Sequence, residues 1–111
     1  MTPAHSEVTV FHVENTLDMD TAPHMKDRFL SVLTRPGNVV LDLRRATLDS
    51  TGLGAVLSLQ RLLDVRGRRL LVVADDPRFL SLLQHAGVEH ALTLYPTAEL
   101  ALQCASHAAA A

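Results

Sequence analysis

Short apolar segments alternate with longer amphipathic segments along this chain. Short apolar or alternating runs are typical of strands, and apolar positions three or four residues apart are typical of helices. The pattern predicts strands at Val8–Val13, Val39–Leu43, Leu70–Ala74 and Leu92–Tyr95. It predicts a first helix capped by Asp20 or Thr21, a long helix over Thr51–Val65, and helices that begin at Pro77 and at Pro96–Thr97. This alternation predicts an α/β domain with a small, mostly parallel (mixed) sheet of about four to five strands and about four helices.

Polar and glycine-containing segments separate the predicted elements. Glu14–Thr16 and Arg44–Asp49 are predicted to be connections. Pro36–Gly37 ends the first helix, and Gly67 follows the long second helix. The arginines on either side of Gly67 are expected to be solvated, as charges in turns usually are.

The length and composition fit a single globular domain. The chain has 111 residues, of which 48% are hydrophobic and 20% charged, so disorder is not expected. We expect one domain over residues 1–111, with flexible ends at about residues 1–6 and 107–111. Cys104 is the only cysteine, so no internal disulfide can form.

Charge and hydropathy argue against several classes of function. The net charge of −2 gives no long-range attraction to nucleic acid or to an anionic membrane. The chain has no signal-peptide pattern and no apolar run near the ~20 residues that span a bilayer, so a cytoplasmic protein without membrane insertion is expected. The six histidines lack metal-site spacing, and we expect no metal and no cofactor.

An acid, two hydroxyls and two glycines lie between the second predicted strand and the long helix. The segment is Leu48-Asp49-Ser50-Thr51-Gly52-Leu53-Gly54. The hydroxyls fall at a helix N-terminus, where unpaired N–H groups and the positive end of the helix dipole favour a phosphate. This placement suggests a phosphorylation switch. Alternatively, Ser50 or Thr51 is an ordinary N-cap, and the glycines simply allow close backbone packing.

The long helix is predicted to present an exposed stripe that starts near Ser50. At about 100° per residue, its main apolar arc faces the sheet, and two leucines fall on the opposite polar arc. The predicted partner-binding residues on that arc are Leu53, Leu57, Gln60, Arg61 and Asp64. A phosphate on Ser50 would then obstruct docking without refolding the domain. Alternatively, the leucines are isolated exposed apolar residues of the kind most surfaces carry.

Enzyme motifs are weak in this sequence. Ser50 lacks the G-x-S-x-G elbow of a hydrolase, and no histidine can be tied to it from sequence. The two glycines beside Leu53 do not continue as a dinucleotide fingerprint, because Leu57 occupies the third glycine position. Asp75–Asp76 precedes Pro77 as a helix cap would. We expect no catalytic residue, and a small hydrolase using Ser50 is the least favoured hypothesis.

With this motif and this βα order, the chain resembles the STAS domain family, and within it the anti-sigma factor antagonists of Gram-positive bacteria. The most specific match is Asp49-Ser50-Thr51-Gly52-Leu53-Gly54, which is similar to the family's D-S-[ST]-G-[LI]-G phosphorylation motif. Weaker similarity extends from about Leu17 to Leu102. The resemblance therefore covers most of the chain.

The resemblance implies a non-catalytic regulator that acts by partner switching. It implies that Ser50 is phosphorylated by an anti-sigma factor serine kinase, and that a phosphoserine phosphatase reverses the modification. The unphosphorylated form would bind the kinase and free the sigma factor, which raises transcription. The residues implied to flank the switch are Asp18, Asp49, Thr51, Gly52 and Gly54. The alternative is a constitutive STAS subunit of a lipid or solute transport complex, which would bind an ATPase regardless of Ser50.

The sequence departs from the family pattern on the N-terminal side. Where the family has G-E-[LI]-D, this chain has Asn15-Thr16-Leu17-Asp18, so only the last two positions match. We expect the family's first strand to be shortened or absent. Such a loss would expose a sheet edge, through which the chain could form a homodimer.

Overall fold

The computed structural model describes residues 7–108, with side chains from 7 to 106. In chain order the elements are β1 (Val8–Leu17), α1 (Ala22–Leu30), a 3₁₀ turn (Ser31–Thr34), β2 (Asn38–Leu48), α2 (Ser50–Asp64), β3 (Leu70–Val73), α3 (Pro77–His85), β4 (Thr93–Tyr95) and α4 (Ala98–Ala108). The flexibility expected for residues 1–6 and 109–111 concerns positions outside the described residues. The backbone of residues 107 and 108 belongs to α4.

The described strands form one sheet in the order β1-β2-β3-β4. Every neighbouring pair is parallel. The predicted α/β class, with a small, mostly parallel sheet and about four helices, is confirmed. β1 lies at one edge of the described sheet, and all four predicted strands occur in the predicted chain order.

Helices cover both faces of the sheet. Alternate residues of a strand point to opposite faces, so neighbouring residues of β2 pack in different cores. Val39 packs in the larger core, which includes side chains of α1, α2 and α3. Its neighbour Val40 packs with Ala101 and Ala105 of α4 in a smaller core. Both valines are fully buried. The nearly continuous apolar run of β2 reflects this burial on both sides.

β1 and β2 both extend further than the sequence predicts. The segments Glu14–Thr16 and Arg44–Asp49 are predicted to be connections, and this prediction is wrong because the strands continue to Leu17 and Leu48. The two extensions pair with each other, so backbone hydrogen bonds hold them without a continuous apolar pattern. An irregularity in the register follows His12.

Arg68 binds main-chain carbonyls instead of being solvated as predicted. Its guanidinium donates hydrogen bonds to the carbonyl oxygens of Val32, Leu33 and Gly37. These carbonyls lie at and after the end of the α1 segment, where helical geometry leaves acceptors free. The Val32 carbonyl also accepts from the Arg35 N–H, so Arg68 is a second donor there. Partial burial lowers the pKa of the Arg68 guanidinium, since removal from water disfavours the charged form. The prediction failed because the turn folds back against these carbonyls.

Candidate functional site

The candidate site forms where β1 and β2 end side by side. Leu17, the last residue of β1, pairs with Leu48, the last residue of β2. The loops that follow parallel paired strands leave from the same edge of the sheet. Asp18 and Asp49 are the first residues of these two loops, and α2 begins immediately afterwards at Ser50.

Gly52 is the point at which α2 lies against the end of β1. A Cβ atom at this position would collide with the carbonyl oxygen of Leu17. Only glycine allows the main chain of the helix to approach this closely. Close backbone packing is therefore confirmed as a role for Gly52. It is not the role of Gly54, where an added Cβ would meet no atom within 4 Å.

Asp49 is the N-cap of α2. Its backbone is extended, and its carboxylate accepts a hydrogen bond of 2.9 Å from the backbone N–H of Gly52. The alternative in which Ser50 or Thr51 is the N-cap is therefore wrong. Aspartate caps helices as well as serine does, and Asp49 stands directly after β2, where the chain changes from strand to helix.

Ser50 is the first residue of α2, and its side chain is exposed. Within residues 7–108, its hydroxyl makes no hydrogen bond, because the capping position is already filled by Asp49. The free N–H groups and the dipole at this helix start favour added negative charge. A phosphate on Ser50 would consequently break no hydrogen bond that holds the fold.

Asp18 orders the loop between β1 and α1. Its carboxylate accepts hydrogen bonds from the backbone N–H groups of Asp20 (2.9 Å) and Thr21 (3.2 Å). Thr21 is the N-cap residue of α1, one of the two residues predicted for this position, but its hydroxyl donates to the carbonyl of Thr16 and makes no side-chain cap hydrogen bond. In the part of the chain that the structure describes, no hydrogen bond joins Asp18 to Ser50. Its role beside the switch stays a prediction.

The exposed stripe predicted on α2 is wrong at Leu53. This side chain is only 3% exposed and belongs to the larger core. Leu57 and Gln60 are half-buried: Leu57 packs against the same core, and the Gln60 amide donates to the carbonyl of Ala91. The helical wheel failed because the sheet covers one side of α2, while α3 and the loop after it cover a second side.

Arg61 and Asp64 are exposed, as predicted, and the open side of α2 faces α1. A depression of about 440 Å³ lies between these helices, lined by Met19, Ala22, Pro23, Lys26, Asp27, Thr51, Ala55 and Ser58. A second depression of about 400 Å³ continues along the helices, lined by Lys26, Ser58, Arg61, Leu62 and Val65. We call the two together the α1–α2 groove.

The α1–α2 groove contains residues that the sequence pattern did not indicate as partner-binding. Met19 and Val65 are 72% and 74% exposed, the highest values among the large hydrophobic residues described. Lys26 and Ser58 line both depressions. The spacing of Thr51 and Ser58, two turns apart on one helix face, is the sequence signal that could have indicated this side of α2.

A second polar cluster lies on the sheet face that α4 covers. Asp42 is buried, and the Arg44 guanidinium donates to its two carboxylate oxygens at 3.0 and 2.9 Å. The His12 ring lies 3.4 Å from the same carboxylate. The Arg44 hydrogen bonds lower the pKa of the Asp42 carboxyl, because they favour its charged form. This carboxylate is held in an ion pair beside a cavity of about 570 Å³.

No group of three or more His, Cys, Asp or Glu side chains suited to a metal ion occurs among the described residues. Within residues 7–108, no helix has the length and apolar character needed to cross a membrane. The features that stand out are therefore the hydroxyl at the start of α2, the groove beside it and the Asp42 ion pair.

A family model described as "Mlab, STAS domain" matches residues 1–96 of the chain. The chain belongs to the STAS domain family. The resemblance found in the sequence is thereby confirmed, and the D-S-T-G-L-G motif of this STAS domain lies at the start of α2. A comparison with curated protein sequences gave no match.

Solved structures share the fold of this STAS domain. An anti-sigma factor antagonist from Mycobacterium paratuberculosis is 29% identical, with a TM-score of 0.79 over 88% of this chain and 85% of that chain. The unphosphorylated form of the anti-sigma factor antagonist SpoIIAA is 20% identical, with a TM-score of 0.71 over 88% and 87%. A sulfate transporter family protein from Wolinella succinogenes is 24% identical, with a TM-score of 0.76 over 88% and 84%. The last two show a common fold alone.

Proposed function

We propose that this STAS domain is a cytoplasmic, bacterial anti-sigma factor antagonist that switches partners through phosphorylation of Ser50. The observation that carries the proposal is the division of roles at the start of α2. Asp49 caps the helix, which leaves the Ser50 hydroxyl exposed and without a partner in the described structure. The 29% identity to the M. paratuberculosis anti-sigma factor antagonist supports the same function.

In its unphosphorylated form the protein binds an anti-sigma factor serine kinase and thereby releases the sigma factor. The docking surface consists of the exposed part of α2, with Ser50, Thr51, Arg61 and Asp64, together with the α1–α2 groove. Apolar contacts come from groove residues such as Met19, whose side chain is open to solvent. Leu53 packs in the larger core and does not contact the partner.

The kinase inactivates the antagonist by transferring the γ-phosphoryl group of ATP to the Ser50 oxygen. An O–P bond forms at Ser50, the bond between the β- and γ-phosphates breaks, ADP leaves and the hydroxyl proton is released to the solvent. The phosphoserine adds a charge of about −1.5 to −2 next to the Asp49 carboxylate. Docking would then bury two neighbouring negative groups, so the partner dissociates while the fold persists. A phosphoserine phosphatase restores the hydroxyl.

A second candidate function is a constitutive STAS subunit of a lipid or solute transport complex that docks on an ATPase. The matching family is described by the name Mlab rather than as anti-sigma factor antagonists, and the fold is shared with a sulfate transporter family protein. In this case the same surface would bind its partner whether or not Ser50 carries a phosphate. The two functions therefore differ in whether phosphorylation of Ser50 changes the affinity for the partner.

The test of the proposed function is phosphorylation and binding by purified anti-sigma factor serine kinases from the same cell. After incubation with ATP, mass spectrometry is expected to place the phosphate on Ser50 and to find none in Ser50→Ala. The matched control is Ser81→Ala, which removes an exposed hydroxyl of α3 outside the docking surface and leaves phosphorylation intact. A phosphate found on another residue would contradict the assignment.

Binding measurements separate the two candidate functions. Ser50→Ala is expected to bind the kinase as the wild type does, whereas Ser50→Asp binds roughly tenfold or more weakly because its charge loses water in the interface. Equal binding by both variants would favour the constitutive transport subunit.

Self-association is a further part of the proposal. β1 is an edge strand within the described sheet, and such edges can pair with a second copy of the chain. Analytical ultracentrifugation of the full chain over a range of concentrations tests for this homodimer. A single monomeric species throughout would contradict it.

A further inference from the structure

Gly54 is a glycine that the fold does not require. It is exposed in the interior of α2, and a Cβ atom placed there would meet nothing within 4 Å. Its φ is outside the left-handed region, so an L-residue could adopt the same backbone. A glycine inside a helix destabilises it relative to alanine. Some requirement other than packing therefore accounts for the missing side chain.

Gly54 lies one helical turn after Ser50, so the two positions share a face of α2. Cα–Cβ bonds in a helix tilt toward its N-terminus, and a side chain at position i+4 therefore lies beside that of position i. A side chain at position 54 would extend toward the Ser50 hydroxyl. The end of β1 closes the helix start at Gly52. The exposed ridge over Gly54 is thus an open approach to Ser50 from the body of α2.

We propose that Gly54 is a specificity-determining position of the switch, kept without a side chain so that a modifying enzyme can reach Ser50 across the helix backbone. This inference rests on the proposed function, because it takes the kinase as the visiting protein. It assigns separate reasons to the two glycines of the motif. Gly52 is required for contact inside the domain, and Gly54 is required for contact with another protein.

Two small side chains lie next to Gly54 on the surface of α2. Thr51 is exposed and lies on the groove side of α2. Ser58, one turn after Gly54, turns its hydroxyl back to donate to the Gly54 carbonyl at 3.0 Å, so it satisfies this carbonyl within the helix. On the groove side of α2, Gly54 is therefore flanked by the small side chains of Thr51 and Ser58.

Thiol labelling tests the open approach without any partner protein. Ser50→Cys is made in a Cys104→Ser background, so that position 50 carries the only thiol. We expect Gly54→Gln to slow its reaction with a disulfide reagent several-fold, and Gly54→Ala to slow it less. Ser81→Gln, which changes an exposed residue of α3, is the matched control and leaves the rate unchanged. Equal rates with Gly54 and Gly54→Gln would overturn the inference.

Kinase assays then test the consequence for function. With a purified kinase that phosphorylates Ser50, Gly54→Gln is expected to lower kcat/KM roughly tenfold or more, as overpacking of a close contact does. The melting temperature of Gly54→Ala is expected to rise, and a fall would mean that the fold needs this glycine and would overturn the inference.

The failures of the two proposals are distinguishable. If wild-type protein is phosphorylated and Gly54→Gln is phosphorylated equally fast, this inference fails and the proposed function stands. If no kinase phosphorylates the wild type, the proposed function fails. The kinase can then no longer be the enzyme that approaches Ser50 across Gly54.

Discussion

The substitution Asp49→Ala tests the division of roles at the start of α2. It removes the carboxylate that accepts the 2.9 Å hydrogen bond from the Gly52 N–H, and it leaves the exposed Ser50 hydroxyl in place. Loss of an aspartate N-cap costs about 1 kcal/mol in free energy of unfolding, with a range of roughly 0.5–2 kcal/mol. For a domain of this size, 1 kcal/mol corresponds to a fall in melting temperature of about 4 °C.

The assay is urea and thermal unfolding followed by far-ultraviolet circular dichroism. The urea midpoint of Asp49→Ala is expected to fall with an unchanged slope, because the change weakens the native state without altering the surface exposed on unfolding. Ser50→Ala is the matched comparison and is expected to stay within about 0.5 kcal/mol of the wild type, as surface substitutions do. The reasoning would be refuted if Ser50→Ala were as destabilising as Asp49→Ala, since the serine would then be the working cap.

Three further predictions concern the core, the ion pair and the partly buried Arg68. Leu53→Ala is expected to lower the unfolding free energy by about 2–5 kcal/mol in a urea titration, because its side chain is buried. Arg61→Ala is expected to change it by less than about 0.5 kcal/mol. Similar costs for the two variants would contradict the burial of Leu53. Arg44 lowers the pKa of the Asp42 carboxyl in the folded state. The ion pair therefore stabilises the fold fully above the pKa that this carboxyl has in the unfolded chain, and this stabilisation is lost as the pH falls through the lower pKa of the folded state. The stability difference between wild type and Asp42→Asn should therefore shrink on acidification, and a constant difference would contradict the ion pair. Arg68→Met should cost about 1–3 kcal/mol by thermal unfolding, since it removes the guanidinium donors to the Leu33 and Gly37 carbonyls. A neutral result would argue against those hydrogen bonds.

Much of the fold follows from local sequence patterns. The buried strand β3 and the helix α2 appear within one residue of their predicted bounds, because the apolar run of one and the helical periodicity of the other are strong. The extensions of β1 and β2 could not be predicted in the same way. Their polar segments are held by backbone pairing with each other, and that pairing depends on where two distant segments meet.

The candidate site was predictable in its position but not in its detailed geometry. The motif placed Ser50 at a helix start, where it lies, because a strand, an acid and two glycines precede a periodic pattern. Which of three adjacent polar residues caps the helix depends on the exact end of β2, and the structure selects Asp49. Leu53 was misplaced because a helical wheel does not show that a second element covers the side of α2 away from the sheet.

The most direct test of the account compares kinase binding by the two chemical states of Ser50. The full-length protein is phosphorylated with the cognate kinase and ATP, purified and titrated against that kinase by calorimetry, beside the unmodified protein and a phosphatase-treated sample. Phosphorylation is expected to weaken binding roughly tenfold or more, and treatment with the phosphatase to restore it. Equal affinity of the phosphorylated and unmodified proteins would contradict the claim that the charge on this hydroxyl controls docking.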